Sequence, residues 1–252
     1  MTEVRIEKMR PDQLDAACAK HPIAYIPLGA LEFHGRHLPV GLDSLKAHDL
    51  ACHAARACGG VVVPPLFHGQ GGGHGEFPWS WMIEKQTLVE IVLSTLQGLE
   101  RSGIELVIIV CGHYPNIDIA DDLLAAYKAG GGTATVELLR ESDAFPEDAP
   151  IQGDHASQCE TSLMLAVDET TVDMSALAQN KQGAPLSDFP LPEPAVPGGW
   201  WFEKDPAHPW FGIAAQKGNF PRDATKELGE WGRVAFVSHI EKLVAAFEPR
   251  RK

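Results

Sequence analysis

The stretch Glu105-Leu106-Val107-Ile108-Ile109-Val110-Cys111 decides the fold class, because it is the strongest buried-strand signal in the chain. An unbroken apolar run of this kind is typical of a strand in a parallel sheet that is covered on both faces. Gly112 and His113 follow it directly. Ligands bind outside the carboxyl ends of the strands in such sheets, so the stretch also predicts where a functional site lies.

Outward from this stretch, predicted strands and helices alternate along the chain. Further strands are predicted at residues 23–28, 61–63 and 133–139, and helices at residues 43–58, 86–101, 117–129, 158–167 and 223–247, the last with Asp223 as its N-cap. Parallel strands need crossover connections, so the alternation predicts a mainly parallel sheet with helices on both faces. We expect one domain over residues 1–252, with an irregular loop rich in proline and tryptophan at residues 183–211.

The charge balance argues against nucleic acid as a partner. The 252 residues include 21 Lys plus Arg and 34 Asp plus Glu, for a formal net charge of −13, whereas phosphate binding needs clustered basic residues. No apolar run approaches the roughly 18 residues of a membrane span, and no signal-peptide pattern is present. We therefore expect a cytoplasmic protein without nucleic-acid or membrane partners. The five cysteines form no CxxC pair, which predicts reduced and mostly buried thiols.

A dense polar cluster follows the first predicted strand. Glu32 and His34 are two residues apart, so in an extended segment both side chains point to one side while Phe33 points to the core. Asp43 returns at the start of the next predicted helix. Carboxylates and an imidazole are ligands that Zn²⁺ or Mn²⁺ prefers. Taken alone, this cluster could equally be a polar turn in which Asp43 caps the helix.

Two later segments carry similar clusters. Gly112-His113-Tyr114-Pro115-Asn116 follows the buried strand, and residues 153–162 place Asp154, His155 and Glu160 beside a predicted helix start. Helix capping alone does not explain three polar clusters at successive strand ends. They predict one shared site.

Together the three clusters resemble the creatininase family of metal-dependent amidohydrolases. The pattern is Glu-x-His-Gly-x-His-Leu-Pro from Glu32, with Asp43 eleven residues after the Glu, then Gly-His-Tyr-x-Asn from Gly112, then His-Ala-x-x-x-Glu-Thr-Ser from His155. Residues 74–78 and 218–225 resemble two weaker blocks of the same family. The resemblance covers about residues 23–240.

The resemblance implies a three-layer α/β/α fold, a homohexamer and a hydrolase with two divalent cations per chain, zinc or manganese, with iron as a further option. Carried over by position, Glu32 and His113 bind one cation, His34 binds the other, and Asp43 bridges them. His155 matches the histidine that the family uses for proton transfer. Glu160 matches a further acidic position of the family. We interpret it as a catalytic residue that either binds a cation or holds a cation ligand in place.

Substrate contacts are expected from four residues, namely His37, His74, Tyr114 and Trp201. For His37 a structural hydrogen bond is the alternative. Trp201 belongs to the loop at residues 183–211, whose aromatic surface also predicts contacts in a homo-oligomer. Cys111 could pair with a histidine as a nucleophile, but a cysteine inside an apolar run is more typical of a core residue.

Several positions depart from the family pattern and leave the substrate open. Pro115 stands where creatininase itself carries a metal-binding Glu, so the second cation loses a ligand unless Glu160 supplies one. Gly73, Ser157 and Gln158 differ as well, and we expect them to reshape the substrate crevice. The leading hypothesis is the opening of a small cyclic or formyl amide. The alternatives are carbon–carbon cleavage that opens a cyclic ketone derived from a sugar or cyclitol, and ligand or partner binding without catalysis.

Overall fold

Four parallel strands form the central sheet. The computed structural model describes residues 2–73, 75–177, 204–208, 210–214 and 219–249. Within them the strands are β1 (Ile23–Leu28), β2 (Val61–Val62), β3 (Leu106–Cys111) and β4 (Thr135–Leu139), in the order β2-β1-β3-β4. β1 and β3 pair along their whole length, from Ile23 opposite Leu106 to Leu28 opposite Cys111. These two strands are therefore the centre of the sheet.

The helices connect and cover the strands. They are α1 (Pro11–Lys20), α2 (Leu42–Cys58), α3 (Lys85–Arg101), α4 (Ala120–Ala129), α5 (Gln158–Asp168) and α6 (Lys226–Ala246). Short 3₁₀ segments include Tyr114–Ile119 after β3, Glu141–Ala144 after β4 and Pro221–Asp223 before α6. In the part of the chain described, no helix is both long and apolar enough to cross a bilayer.

Both faces of the sheet are covered, because successive side chains of each strand point to opposite faces. Tyr25 and Ile108 pack on one face with α2 and α6, and Ile26 and Ile109 pack on the other with α3 and α4. Every residue of β1 and β3 is buried. The predicted α/β/α fold with a parallel sheet is confirmed.

Most predicted boundaries differ from the structure by one or two residues, and three differences matter more. Asp223 is not the N-cap of α6, since it ends a 3₁₀ segment, and the hydroxyl of Thr225 accepts the Leu228 N–H at 3.2 Å instead. Residues 117–119 belong to a 3₁₀ segment rather than to α4. α1 was not predicted, because none of its residues is buried and its apolar pattern is correspondingly weak.

The strand order places a crevice between the carboxyl ends of β1 and β3. The chain passes from β1 to β2 in one direction and from β3 to β4 in the other, so the connections diverge at this point. α2 begins against both strand ends. A Cβ atom on Gly112 would lie 2.0 Å from the backbone oxygen of Asp43, and one on Gly29 would lie 2.2 Å from the backbone nitrogen of Ser44. Two glycines therefore permit the close approach that brings Asp43 to the crevice.

The loop rich in proline and tryptophan falls largely outside the described residues. Trp201 and, elsewhere, His74 are among the residues not described. Trp210 at the end of this loop is only 2% exposed, whereas Trp79 and Trp81 are 70% and 62% exposed. The prediction of a homo-oligomer stays a prediction.

Candidate metal centre and active site

A cavity of about 370 Å³ lies at the carboxyl ends of β1, β3 and β4, where the sequence predicts a site. Its polar lining is formed by six buried side chains, Glu32, Asp43, His113, Asp154, His155 and Glu160. The wall is completed by residues that include Tyr114, Pro115, Ile117, Asp118 and Arg140. The three polar clusters, which are far apart in sequence, therefore converge on one cavity.

Three groups of described side chains could hold a metal ion, and two of them share Asp43; the third is formed by Glu32, His34 and His155. Glu32, Asp43 and His113 form the first of the two groups that share Asp43. Nδ1 of His113 lies 2.8 Å from Oε2 of Glu32 and 3.3 Å from Oδ2 of Asp43. One nitrogen or oxygen from each residue lies within 4.8 Å of those of the other two. This spacing suits three ligands around one divalent cation.

His34, Asp43 and Glu160 form the second group. Nε2 of His34 lies 3.2 Å from Oδ1 of Asp43 and 3.4 Å from Oε2 of Glu160, and the three ligand atoms again lie within 4.8 Å of one another. The sequence left open whether Glu160 is a ligand or a support. In the structure its carboxylate belongs to this candidate group.

Asp43 belongs to both groups and turns one oxygen towards each. Oδ2 faces His113 in the first group, and Oδ1 faces His34 in the second. Asp43 is 1% exposed and sits in the first turn of α2. One buried carboxylate is therefore shared by two candidate metal-binding groups.

Backbone carbonyls set the orientation of both ligand histidines. His34 Nδ1 lies 3.0 Å from the backbone oxygen of Glu32, and His113 Nε2 lies 3.1 Å from the backbone oxygen of Gln70. A carbonyl oxygen can only accept, so these nitrogens carry the hydrogens in the neutral rings. The other nitrogen of each ring, which faces the carboxylates, is then the one with a lone pair for a cation.

The donor set fits divalent cations. Nε2 of His34 and Oδ2 of Asp43 are buried and have no hydrogen-bond partner among the described residues. Burial by itself lowers the pKa of His34 and His113, but the surrounding carboxylates, first Asp43 at His34 and Glu32 at His113, outweigh it and raise both pKa values to about 10. The site therefore attracts positive charge, which two cations held by imidazole nitrogens and carboxylate oxygens would supply.

His155 lies beside the two ligand groups. Its ring packs on the ring of His34 with a centroid distance of 4.3 Å, and one of its nitrogens lies within 4.8 Å of ligand atoms of Glu32 and His34. Nε2 lies 3.0 Å from the backbone oxygen of Phe33. Nε2 therefore carries the hydrogen in the neutral ring, and Nδ1 is its basic nitrogen.

Comparison with known proteins agrees with this geometry. A family model described as creatinine amidohydrolase matches residues 7–246. The chain belongs to the creatininase family. It is 28% identical over 200 residues to a creatinine amidohydrolase of Pseudomonas putida, and the alignment covers 69% of this chain and 76% of the relative. It is 27% identical over 174 residues to a mycofactocin precursor peptide peptidase of Mycolicibacterium smegmatis, and that alignment covers 67% of this chain and 66% of the relative.

Solved creatininase structures share the fold of this family member. A crystal structure of creatinine amidohydrolase superposes with a TM-score of 0.76 at 24% identity and covers all of both chains. A manganese form of creatininase superposes with a TM-score of 0.74, also at 24% identity, over 96% of this chain and 98% of the other. The creatinine amidohydrolase and the peptidase to which the chain is similar are both hydrolases. The prediction that the chain is a hydrolase of the creatininase family is therefore confirmed.

The departures from the creatininase pattern fall at different places around the site. Pro115 lines the cavity and offers it no ligand atom. Gly72, rather than Gly73, lies in the lining. The hydroxyl of Ser157 donates to the backbone oxygen of Asn219, and the amide of Gln158 donates to that of Asp223 at 3.1 Å. Neither Ser157 nor Gln158 is among the residues that line the cavity, and both side chains hold the turn before α6, so their effect on the crevice stays a prediction.

Two of the four predicted substrate contacts lie within the described residues, and of these Tyr114 lines the cavity and His37 does not. His37 is 1% exposed and its Nε2 lies 2.9 Å from the hydroxyl of Thr161, which is the structural hydrogen bond weighed as its alternative. Burial lowers the pKa of His37 to about 3, so the ring is neutral. His74 and Trp201 lie outside the described residues. Cys111 is fully buried in the core, as expected.

Sequence reasoning named Asp154 without giving it a role, and it missed Lys46 and Glu141. Asp154 accepts the backbone N–H groups of Cys159 and Glu160 at 2.7 and 3.2 Å, which fixes the start of α5. Lys46 donates to Glu160 at 2.7 Å. Glu141 follows β4 directly, so the strand-end rule that found His113 could have found it. Lys46 lies three residues after Asp43 on α2, and that spacing was its only signal.

Proposed function

We propose that this chain is a dinuclear metal-dependent hydrolase that opens a small cyclic or formyl amide with an activated water. The observation that carries the proposal is the placement of Asp43, whose two oxygens face two separate ligand groups. Zinc and manganese suit these ligands equally. Creatininase structures in a manganese form and, for a variant, in a Zn–Zn form support the choice of metals.

In this proposal, one set of side chains would hold the cations and His155 would transfer a proton. Two bound cations would polarise the amide carbonyl and lower the pKa of water. Glu32 and His113 would hold one cation, His34 and Glu160 the other, and Asp43 would keep the two close together. His155 would take the water proton on Nδ1 and return it to the leaving nitrogen, while the Phe33 carbonyl keeps Nε2 protonated.

The cavity supports a small substrate. Its volume of about 370 Å³ is near the lower end of small-molecule sites, which begin at roughly 300 Å³. Arg140 and Asp118 both line the wall; the guanidinium of Arg140 lies 5.9 Å from the ring centre of Tyr114 and is paired with Asp143 at 2.6 Å. A compact polar molecule suits this lining.

Replacing His155 by alanine is expected to lower kcat by about 10² to 10⁴ and to leave the metal content unchanged, because a proton-transfer group is lost and no ligand is. Steady-state kinetics and elemental analysis measure the two effects. His53→Ala, at a partly exposed histidine on α2, is the matched control and should behave as wild type. Wild-type kcat in His155→Ala would refute the role, and loss of metal would show that His155 is a ligand.

A substrate panel tests the proposed function as a whole. The metal-loaded chain is assayed against lactams, N-formyl compounds and cyclic diketones, before and after chelation and reloading with Mn²⁺ or Zn²⁺. Metal-dependent turnover of amides supports the proposal. Turnover of cyclic diketones alone would instead support carbon–carbon cleavage, and metal binding without turnover of any class would support a binding protein.

A further inference from the structure

Three connected side chains form a group beside Glu160, namely Lys46, Glu141 and Tyr114, the last of which also lines the cavity. Lys46 and Glu141 are both 0% exposed. Nζ of Lys46 donates to Oε1 of Glu160 at 2.7 Å and to Oε1 of Glu141 at 2.9 Å. The hydroxyl of Tyr114 donates to the same Glu141 oxygen at 2.7 Å, and its ring centre lies 4.8 Å from Nζ. We call these three residues the Lys46 cluster.

The Lys46 cluster divides the two oxygens of Glu160 between different tasks. Oε1 accepts from Lys46, whereas Oε2 accepts the Ala156 N–H at 2.8 Å and lies 3.4 Å from Nε2 of His34. Oε2 is thus the oxygen that faces the second ligand group. With Oε1 held, the carboxylate can present a single oxygen to a cation, in a fixed direction.

Glu141 makes this arrangement compatible with a nearby cation. An ammonium group in contact with a ligand oxygen would repel a divalent ion in a buried, weakly screened place. The charge of Glu141 cancels that of Lys46, so the pair donates a hydrogen bond to Glu160 while adding no net charge. The Tyr114 hydroxyl stabilises the charged form of Glu141.

The position of Lys46 on α2 couples it to the bridging ligand. Lys46 lies three residues after Asp43, so both side chains leave the same face of one helix. The side chain of Asp43 belongs to the two ligand groups, and the side chain of Lys46 contacts Glu160 on α5. One rigid helix thereby fixes the distance between two ligands of the second group.

We propose that Lys46, balanced by Glu141, is a positioning residue that holds Glu160 as a one-oxygen ligand of the second cation. The proposal rests on the dinuclear function proposed above. It explains how the second group can bind a cation although Pro115 contributes no ligand to the cavity. It also predicts that the two cations respond differently to changes in the Lys46 cluster.

The test is a titration of the metal-free chain with Mn²⁺, followed by calorimetry and by electron paramagnetic resonance. The variant is Lys46→Met combined with Glu141→Gln, because removing one partner alone would leave an unpaired charge in the core. We expect the affinity for the second ion to fall about 10- to 100-fold, as for other residues that orient metal ligands. The affinity for the first ion should not change. Excess Mn²⁺ should restore kcat, which a purely structural defect would not allow.

The matched control removes an exposed ion pair. Lys85→Met with Asp122→Asn breaks a surface contact of 2.7 Å and should bind both ions as wild type does. Circular dichroism reports whether each variant folds. If the Lys46→Met and Glu141→Gln double variant does not fold, the single variant Glu141→Gln decides, since it keeps the shape but leaves the charge of Lys46 uncancelled. This single variant should also lower the affinity for the second ion about 10- to 100-fold.

Unchanged affinity for the second ion in the folded variant, or an equal loss at both sites, would overturn the role of Lys46. This outcome is distinct from failure of the proposed function. A wild-type chain that never binds a second ion would contradict the dinuclear function itself. If the wild-type chain binds two ions and the variant binds the second ion with unchanged affinity, only the positioning role of Lys46 is contradicted.

Discussion

Asp43→Ala is expected to lower kcat/KM by about 10⁴ or more on any substrate that the wild-type chain hydrolyses. Both candidate groups that contain this carboxylate depend on it, so its loss would remove a ligand from each of the two proposed cations and the bridge between them. Metal ions contribute several kcal/mol of transition-state stabilisation, and each 1.4 kcal/mol or so corresponds to a factor of ten. The measurement is steady-state kinetics at saturating Mn²⁺ or Zn²⁺.

The fold should tolerate this change. Asp43 is one of several carboxylates buried at the cavity, so its removal relieves repulsion as well as removing a ligand. Asp15→Ala, at an exposed position on α1, is the control and should keep full activity. An Asp43→Ala chain with more than about a tenth of wild-type activity, a loss of less than roughly 1.4 kcal/mol, would show that no bridging carboxylate is needed.

Creatinine is expected to be a poor substrate, with kcat/KM well below the roughly 10⁴ M⁻¹s⁻¹ at the low end for evolved enzymes. Pro115 lines the cavity without a ligand atom, and Glu160 must serve the second cation from another direction. A displacement of charge by about 1 Å can cost on the order of 10² in rate. The assay is creatinine hydrolysis by the metal-loaded chain.

Pro115→Glu offers a direct comparison for this prediction. Pro115 sits at the start of the 3₁₀ segment after β3, where glutamate can also be accommodated. The variant adds a carboxylate to the cavity wall and should raise creatinine hydrolysis relative to wild type. A wild-type kcat/KM above roughly 10⁴ M⁻¹s⁻¹ would show that the proline is fully compensated.

The central strands and the ligands beside them could be predicted from sequence, because the signals are local. An apolar run marks β3, and polar residues directly after β1 and β3 mark the crevice. Asp43 could also be assigned, since α2 starts against the strand ends and the motif spacing is short. These features need no knowledge of contacts between distant segments.

The Lys46 cluster could not be predicted in the same way. A lysine within a helix is normally solvated, and its burial here depends on Glu141 and Glu160, 95 and 114 residues further along the chain. α1 escaped prediction for the opposite reason, since it buries no residue and has little apolar pattern. His37 was ambiguous because its partner Thr161 lies 124 residues away.

The number and magnetic coupling of metal ions in the wild-type chain test the dinuclear centre most directly. Purified chain is made metal-free, loaded with Mn²⁺, and examined by elemental analysis and electron paramagnetic resonance. Two ions per chain with an exchange-coupled signal are expected, because Asp43 presents one oxygen to each ligand group. One ion per chain in fully active protein, or two ions without coupling, would contradict a centre bridged by Asp43.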